Sequence, residues 1–266
     1  MSGLNSTAPK TRKKMEAKVK EKVKTILISQ PKPEGDNKSP YTALSKKHKL
    51  KIDFRPFIHV EPTHAQEFRQ NRISILEHTA IIFTSRVAVD HFFRMCEETR
   101  ATVPDTMKYF CLSETTAFYL QKYVVYRKRK IFHGRVTFAE LVEIMKKHKQ
   151  EKFLVPCSNL LKPSIPELLI ENKFHHSIAP MYRTVCSDLS DLADVKYDML
   201  VFFSPSGIES LMKNFPDFKQ GDTVLATFGP TTAKAAEAAG LRIDVLAPHP
   251  KARSMSMAIQ QFITGK

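Results

Sequence analysis

The sequence predicts an α/β fold with two domains, each a parallel sheet flanked by helices. Short apolar segments alternate with amphipathic segments along nearly the whole chain, as in parallel strands joined by helices. About nine or ten strands are predicted, more than one small sheet usually holds. The two halves also share a unit, because Ile81–Ser85 (IIFTS) and Leu200–Ser204 (LVFFS) are both apolar strands that end in hydroxyl residues before a helix.

The first part of the chain is assigned from two kinds of apolar spacing. Strands are predicted where apolar residues are consecutive or alternate with polar ones, as in Lys51–Val60 (KIDFRPFIHV). Helices are predicted where apolar residues recur at helical spacing, as Val89, Phe92 and Cys96 do. The predicted strands are 25–29, 51–60, 80–83, 108–112, 124–125 and 153–155, and the predicted helices are 41–48, 65–76, 87–98, 115–122, 138–147 and 165–171.

The remainder of the chain continues the alternation. Ser177–Cys186 (SIAPMYRTVC) is predicted to be extended. It is followed by strands at 199–203, 223–228 and 241–246 and by helices at 207–214, 232–239 and 254–263. Because a helix separates most consecutive strands, the sheets should be parallel and covered on both faces.

The charge balance indicates an anionic partner. The 266 residues contain 42 Lys and Arg against 27 Asp and Glu, a formal net charge of +15. Nucleic acid, an acidic membrane surface or a polyanionic small molecule would each suit this surplus. Part of it lies in residues 10–24 (KTRKKMEAKVKEKVK), and we predict that 1–24 is a solvated, disordered tail. The alternative is an arm that binds nucleic acid or the ribosome, although no aromatic residues interleave its charges to stack on bases.

Several classes of site are excluded by their missing motifs. The chain has neither a G-x-G-x-x-G nor a G-x-x-x-x-G-K-[ST] nucleotide loop. Its four cysteines (Cys96, Cys111, Cys157 and Cys186) are far apart, which favours reduced thiols in a cytoplasmic protein over disulfides or a zinc site. No apolar run is long enough to span a membrane. No metal site is readable by spacing, and no cofactor is expected.

Hydroxyl residues follow the predicted strands at the edge where parallel sheets bind ligands. They are Thr84, Ser85, Thr115, Thr116, Ser204, Ser206, Thr231 and Thr232. Each could simply cap the following helix. As a set on one edge, they also suit carboxylate or phosphate groups, since helix N-termini attract anions. Arg86 and Lys234 stand beside two of these positions and could add charge-assisted hydrogen bonds.

At these same residues the chain resembles the uroporphyrinogen-III synthase family. The matching segments, in chain order, are IIFTSRVAVDHFF (81–93), LVPCSNLLKPSIPELL (154–169), MYRTV (181–185), VFFSPSGIESL (201–211) and FGPTTAKAAEAAGL (ending at Leu241). The similarity covers about residues 25–266. It implies an α/β domain formed by 25–56 and 187–266, a second at 63–179, two linker strands at 57–62 and 180–186, and an active site in the cleft between the domains.

The resemblance also implies a reaction and a set of site residues. The family closes hydroxymethylbilane, which carries eight carboxylates, into a macrocycle with ring D inverted and water lost, and it uses no cofactor. Tyr182 matches the family's linker tyrosine and is expected to donate a hydrogen bond to the departing hydroxyl; the alternative is that it only packs. The expected substrate-binding residues are Thr84, Ser85, Arg86, Ser113, Thr115, Thr116, Ser158, Asn159, Ser204, Pro205, Ser206, Gly207, Gly229, Thr231 and Thr232.

Two departures from the family pattern leave alternatives open. Gln30 stands where the family usually has arginine, and Glu114 brings an acid into a loop that should bind carboxylates. These departures favour a non-catalytic relative that binds an anionic ligand. The basic tail and the net charge leave a third alternative, an RNA- or ribosome-associated protein. We expect a cytoplasmic monomer with a small polycarboxylate substrate, no membrane partner, and nucleic acid bound only through the tail if at all.

Overall fold

A computed structural model describes residues 23–33, 39–135 and 137–265. The strands are β1 Thr25–Ile28, β2 Lys51–Phe54, β3 Ile58–Pro62, β4 Ala80–Phe83, β5 Lys108–Cys111, β6 Ile131–His133, β7 Lys152–Ser158, β8 His175–Cys186, β9 Met199–Phe202, β10 Val224–Phe228 and β11 Val245–Ala247. The α-helices are α1 Pro40–His48, α2 Ala65–Gln70, α3 Arg86–Thr99, α4 Glu114–Tyr119, α5 Phe138–Met145, α6 Ser164–Glu171, α7 Pro205–Asn214, α8 Pro230–Ala238 and α9 Met255–Thr264.

The strands form two sheets, and the predicted fold class is confirmed. The order is β11–β10–β9–β1–β2 in one sheet and β3–β8–β7–β4–β5–β6 in the other. In the first, β1 pairs in parallel with β9 and β2, although β1 and β9 lie far apart in the sequence. In the second, β4 pairs in parallel with β5 and β7.

The chain divides into two compact units. The first is formed by residues up to His59 and from Cys186 onward, and the second by Val60–Val185. The segments predicted as linkers, 57–62 and 180–186, correspond to the β3 region and to the end of β8. These two strands are neighbours in the six-stranded sheet.

Each sheet is buried on both faces, which explains why its strands are nearly continuous apolar runs. In the first unit, Ile26 and Ile28 belong to the core cluster that includes residues of α1 and α9. Leu27 belongs to the opposite cluster, with residues of α7 and α8. In the second unit, Ile81 packs with α3, and Ile82 with α5 and α6. This alternation is the period of a strand covered on both sides.

The prediction of one strand at 51–60 is wrong. Lys51–Phe54 forms β2 and Ile58–Pro62 begins a different strand in the other sheet. Pro56 lies between them and has no N–H to donate to a ladder. The side chain of Phe57, next in the chain, is almost wholly buried. The proline therefore separates two strands where the polar–apolar alternation continues without a break.

The prediction of a strand at 124–125 is also wrong. Val125 is 77% exposed, and the edge strand is β6, whose Ile131 and Phe132 pair with Tyr109 and Phe110. Valine favours strands, but only when its backbone finds a partner. Smaller corrections concern helix 65–76, which ends at Gln70, and strand 241–246, which is reduced to Val245–Ala247.

The predicted tail at 1–24 lies largely outside the described residues. Its last two residues are described and are ordered parts of the first unit. Val23 is buried in the core, and the Lys24 N–H donates to Asp198 Oδ2 at 2.9 Å. The tail boundary at residue 24 is therefore wrong by at least two residues, because Val23 packs beside the first strand.

Candidate active site

Most of the predicted site residues of the second unit follow the carboxyl ends of adjacent parallel strands. Phe83, the last residue of β4, is in register with Cys111, the last residue of β5. Ser158 at the end of β7 is in register with Tyr182 of β8. The ladder therefore brings Thr84, Ser113, Ser158 and Tyr182 to one edge of the sheet, although they are up to 98 positions apart in the sequence (182 − 84).

Tyr182 is a buried polar side chain at this edge. It is 7% exposed, and its hydroxyl lies 3.5 Å from Ser85 Oγ. Ser85 caps α3, since its Oγ accepts the Ala88 N–H at 3.1 Å. The Ser85 hydroxyl keeps its own proton in this cap, so it can donate to Tyr182, and the phenol proton is then free for a ligand.

The surroundings keep the phenol of Tyr182 protonated. Burial raises the pKa of Tyr182 above its ordinary value, more than the Ser85 hydrogen bond lowers it. The ring also stacks on His91, with centroids 4.8 Å apart and planes 19° from parallel. A neutral, fixed phenol can donate a proton or hydrogen bond but is not a base near neutral pH.

Arg94 fixes both the His91 ring and the backbone next to Tyr182. Its Nε donates to His91 Nδ1 at 3.2 Å, and its Nη2 donates to the Met181 carbonyl at 2.8 Å, one residue before Tyr182. Burial and the neighbouring guanidinium lower the pKa of His91. Because Nδ1 accepts from Arg94, a neutral His91 carries its proton on Nε2.

Arg86 begins α3 and lies over the ring of Tyr119, with its guanidinium carbon 5.5 Å from the ring centroid. Tyr119 donates to Asp90 at 2.8 Å, and Lys122 Nζ lies 3.1 Å from the same carboxylate. Burial tends to raise the pKa of Asp90, but hydrogen bonds from Tyr123, Tyr119 and Lys122 bring it below its usual value. Within the described residues Arg86 forms no salt bridge, so its charge is available to an anion.

Ser113, Thr115 and Thr116 form a closely bonded hydroxyl cluster at the start of α4. Ser113 Oγ lies 2.9 Å from Thr115 Oγ1 and 3.1 Å from Thr116 Oγ1, and it caps the helix. Thr116 is buried, whereas Thr115 is exposed. Glu114, the acid that departs from the family pattern, is the first residue of α4, where a negative charge stabilises the helix dipole.

Ser158 and Asn159 are engaged by the backbone. Ser158 Oγ accepts the Leu160 N–H at 3.1 Å, and Asn159 Oδ1 accepts the Thr184 N–H at 2.8 Å. The Asn159 amide also donates to the Thr184 carbonyl at 3.4 Å. Asn159 thus continues the β7–β8 pairing with its side chain, beyond the last backbone pair.

In the first unit, Ser204 caps α7, and Gly207 in the same turn lets the ring of Phe202 pack close to the backbone. Ser204 Oγ accepts the Gly207 N–H at 3.2 Å. A Cβ on Gly207 would lie 3.2 Å from a ring carbon of Phe202 and 3.7 Å from Ser29 Oγ. Pro205 and Ser206 complete the first turn of the helix. Because Pro205 has no N–H and the Gly207 N–H donates to Ser204, the turn leaves the Ser206 N–H for a ligand.

Gly229 and two threonines form the start of α8. Gly229 has φ +85°, and its N–H donates to the Ala247 carbonyl at 2.6 Å. Thr231 is exposed, while Thr232 is 1% exposed and its hydroxyl has no hydrogen-bond partner within the described residues. The hydroxyl of Thr227 in β10 is also buried and has no hydrogen-bond partner within these residues. A buried hydroxyl without a partner is costly, so each needs an explanation.

Sequence reasoning missed His91 and Arg94, which support Tyr182. Both lie on the predicted helix, and His91 falls in the matching segment 81–93, but neither is assigned a role there because their contact with β8 depends on tertiary packing. Among the described residues, no three His, Cys, Asp or Glu side chains group in a way that could hold a metal ion. No helix in that part of the chain is long and apolar enough to cross a bilayer.

Comparisons with known proteins agree on one family. Residues 39–256 match the family model described as uroporphyrinogen-III synthase HemD. A uroporphyrinogen-III synthase of Chlorobaculum parvum is 24% identical over 260 residues, covering 91% of this chain and all of the relative.

Solved structures show a shared fold at low sequence identity. A mutant uroporphyrinogen III synthase of the extremely thermophilic bacterium Thermus thermophilus has a TM-score of 0.59 at 14% identity, over 92% of this chain and all of its own. The uroporphyrinogen-III synthetase of Helicobacter pylori 26695 has a TM-score of 0.59 at 17% identity, with the same coverage of both chains.

Proposed function

The chain belongs to the uroporphyrinogen-III synthase family, and from this premise we propose that Tyr182 is the reacting group and that the polar strand ends of each unit bind carboxylates of the substrate. The family enzyme cyclises hydroxymethylbilane with inversion of ring D and loss of water. The observation that carries our assignment is the environment of Tyr182. Its hydroxyl is buried, protonated and paired with a helix-capping serine at the ligand-binding edge of a parallel sheet.

Tyr182 acts at the first chemical step in this proposal. The substrate loses its hydroxyl as water, which requires a proton or a hydrogen bond on the departing oxygen. The phenol supplies it, and Ser85, which can donate to the phenol oxygen, stabilises the charge that develops there. The resulting azafulvene is attacked by the substituted carbon of ring D, and the spiro intermediate breaks and recloses with that ring inverted. No step requires a group outside the protein and its substrate.

The other predicted residues hold carboxylates in this proposal. Arg86 offers an unpaired charge beside Ser85, and the first turn of α3 offers free backbone N–H groups. In the first unit, one turn offers the N–H of Ser206. The other offers the N–H groups of Thr231 and Thr232, because the Gly229 N–H is already bonded to Ala247. A substrate with eight carboxylates accounts for the basic composition of the chain better than a single bound anion would.

The test is a coupled assay in which hydroxymethylbilane is generated enzymatically, this protein is added, and the oxidised porphyrin isomers are separated. We expect mainly isomer III, formed faster than spontaneous closure. The proposal would be overturned if folded protein gave isomer I alone at the uncatalysed rate. The fold would then serve for binding and not for catalysis.

We expect His91→Ala to lower kcat about 5- to 10-fold with little change in KM, because Tyr182 loses the ring that fixes its orientation. His91→Phe keeps a stacking ring and should recover most of the rate. The measurement is the initial rate of isomer III formation at several substrate concentrations. If His91→Phe is as slow as His91→Ala, a ring nitrogen is required and the stacking role is wrong.

We expect Thr232→Val to raise KM about 5- to 10-fold while stabilising the fold by up to about 1 kcal/mol. The hydroxyl has no partner within the described residues, so valine of similar shape removes a desolvated group without breaking a contact there. Thr227→Val is the matched control, because its hydroxyl is equally buried but lies outside the proposed site. It should stabilise the fold and leave KM unchanged. An unchanged KM in Thr232→Val would remove Thr232 from the site.

We also propose a cytoplasmic monomer. The four cysteines are free thiols, and three of them are buried, as expected of a protein from a reducing compartment. Sedimentation of the purified protein should give one species near the chain mass of 30.4 kDa.

A further inference from the structure

A cavity of about 670 Å³ lies in the second unit, away from the candidate active site. It is bounded by the end of α3, the segment before β5 and the segment before β6. Met107 and Lys130, which line it, each precede a strand, whereas the candidate site follows the strands. We call it the amino-edge cavity. Its volume is in the range of small-molecule sites.

The floor of the amino-edge cavity contains a buried phenol that has no hydrogen-bond partner in the described part of the chain. Tyr109 is 5% exposed and stacks on Phe83 at a centroid distance of 6.2 Å. The charged or ionisable neighbours that act on its hydroxyl are Cys96 and Asp105, and both line the same cavity. Because this hydroxyl forms no hydrogen bond within the described residues and is not among the fully buried atoms without a partner there, it is accessible from the cavity that Tyr109 lines. An accessible phenol hydroxyl can donate a hydrogen bond to a ligand atom in the cavity or accept one from it.

The rim of the amino-edge cavity carries three cations. Arg100, Arg127 and Lys130 line it, and within residues 23–33, 39–135 and 137–265 none of them forms a salt bridge. Two acids, Glu97 and Asp105, also line it, so the ionisable groups sum to about one positive charge (3 − 2). Phe93, Met107 and Tyr123 supply apolar and aromatic surface between these charges.

We propose that the amino-edge cavity binds a small aromatic ligand that bears one phosphate or carboxylate group. The anionic group lies between the arginines, which bind such oxygens in pairs. The ring lies on the apolar surface, and a ring heteroatom or hydroxyl meets Tyr109. The two acids disfavour a ligand with many negative charges, which separates this site from the eight-carboxylate substrate.

The experiment is isothermal titration calorimetry of the full chain with two probes of different origin, uridine 5′-monophosphate and 4-hydroxybenzoate. We expect one-site binding with a Kd below about 1 mM for at least one of them. Binding of the nucleotide alone assigns the phosphate form of the ligand, and binding of the benzoate alone assigns the carboxylate form. The absence of saturable binding for both would overturn the proposal.

Variants locate the bound probe. Arg127→Ala should weaken binding about 10-fold, and Tyr109→Phe, which keeps the ring and the packing, about 3- to 10-fold. Arg129→Ala is the matched control: it lies in the same basic turn but does not line the cavity, and its Kd should be unchanged. Equal weakening by Arg127→Ala and Arg129→Ala would show unspecific charge attraction. Weakening by Arg86→Ala but not by Arg127→Ala would place the probe at the candidate active site. Either result would overturn the proposal.

Discussion

Replacing Tyr182 by phenylalanine should slow the formation of uroporphyrinogen III about 100-fold or more. Proton donation by a positioned side chain typically contributes a factor of this size or larger. The Tyr182 side chain is only 7% exposed, and phenylalanine would keep both its packing and its stack on His91. The substitution should therefore lower kcat and leave folding intact. The rate of isomer III formation, with isomer I as the internal measure of spontaneous closure, is the quantity to follow.

The pH dependence offers a second readout of Tyr182. Because burial raises its pKa above the ordinary tyrosine value, the donor form persists through neutral and mildly alkaline solution. The rate should therefore show no alkaline decline due to this group below about pH 10. Tyr126→Phe is the control for removing a phenol elsewhere in the same unit, and it should retain full activity. A Tyr182→Phe enzyme with undiminished rate would show that the tyrosine only packs.

Replacing Phe202 by alanine should cost about 3 to 5 kcal/mol of the free energy of unfolding, the largest loss we expect in the first unit. Phe202 is fully buried at the end of β9 and meets Phe57 edge to face, with centroids 5.3 Å apart. It also lies against Gly207, in the turn that we propose for carboxylate binding. The cavity left behind should therefore weaken substrate binding as well as stability.

Chemical unfolding followed by circular dichroism measures the effect of Phe202→Ala. Phe118→Ala is the matched control, because Phe118 is 54% exposed and the same truncation there should change the unfolding free energy by less than about 1 kcal/mol. Equal losses in the two variants would contradict the buried position of Phe202.

The periodicity of the sequence was sufficient to predict the two sheets and most of their helices. Strands such as Ile81–Phe83 are apolar at every position because both faces are covered. This pattern can be recognised without knowing which strand pairs with which. The serines that cap α3 and α7 were also predictable, because their side chains satisfy the adjacent helix turn. The cap of α4 was misplaced, because Ser113 caps that helix and not Thr115 or Thr116. These features depend on residues close together in the chain.

Features that depend on distant residues were not predictable. The edge strand at Ile131–His133 is chosen over Val124–Val125 by its pairing with β5. His91 acquires its place only because β8 brings Tyr182 against α3, and 91 positions separate the two residues (182 − 91). The hydroxyl of Thr232 looks ordinary in the sequence, and only its burial without a partner among the described residues distinguishes it.

The placement of β1 between β2 and β9 has a consequence during synthesis on the ribosome. Thr25 and Asp198 form a hydrogen bond across 173 positions, so the central pair of the first sheet cannot form until β9 emerges. At roughly 5–20 residues per second, the early strand waits on the order of 10 to 35 s for its partner. The intervening segment can meanwhile complete its own sheet. The apolar run Ile26–Ile28 is therefore without its β9 partner for most of the time that the chain is being made.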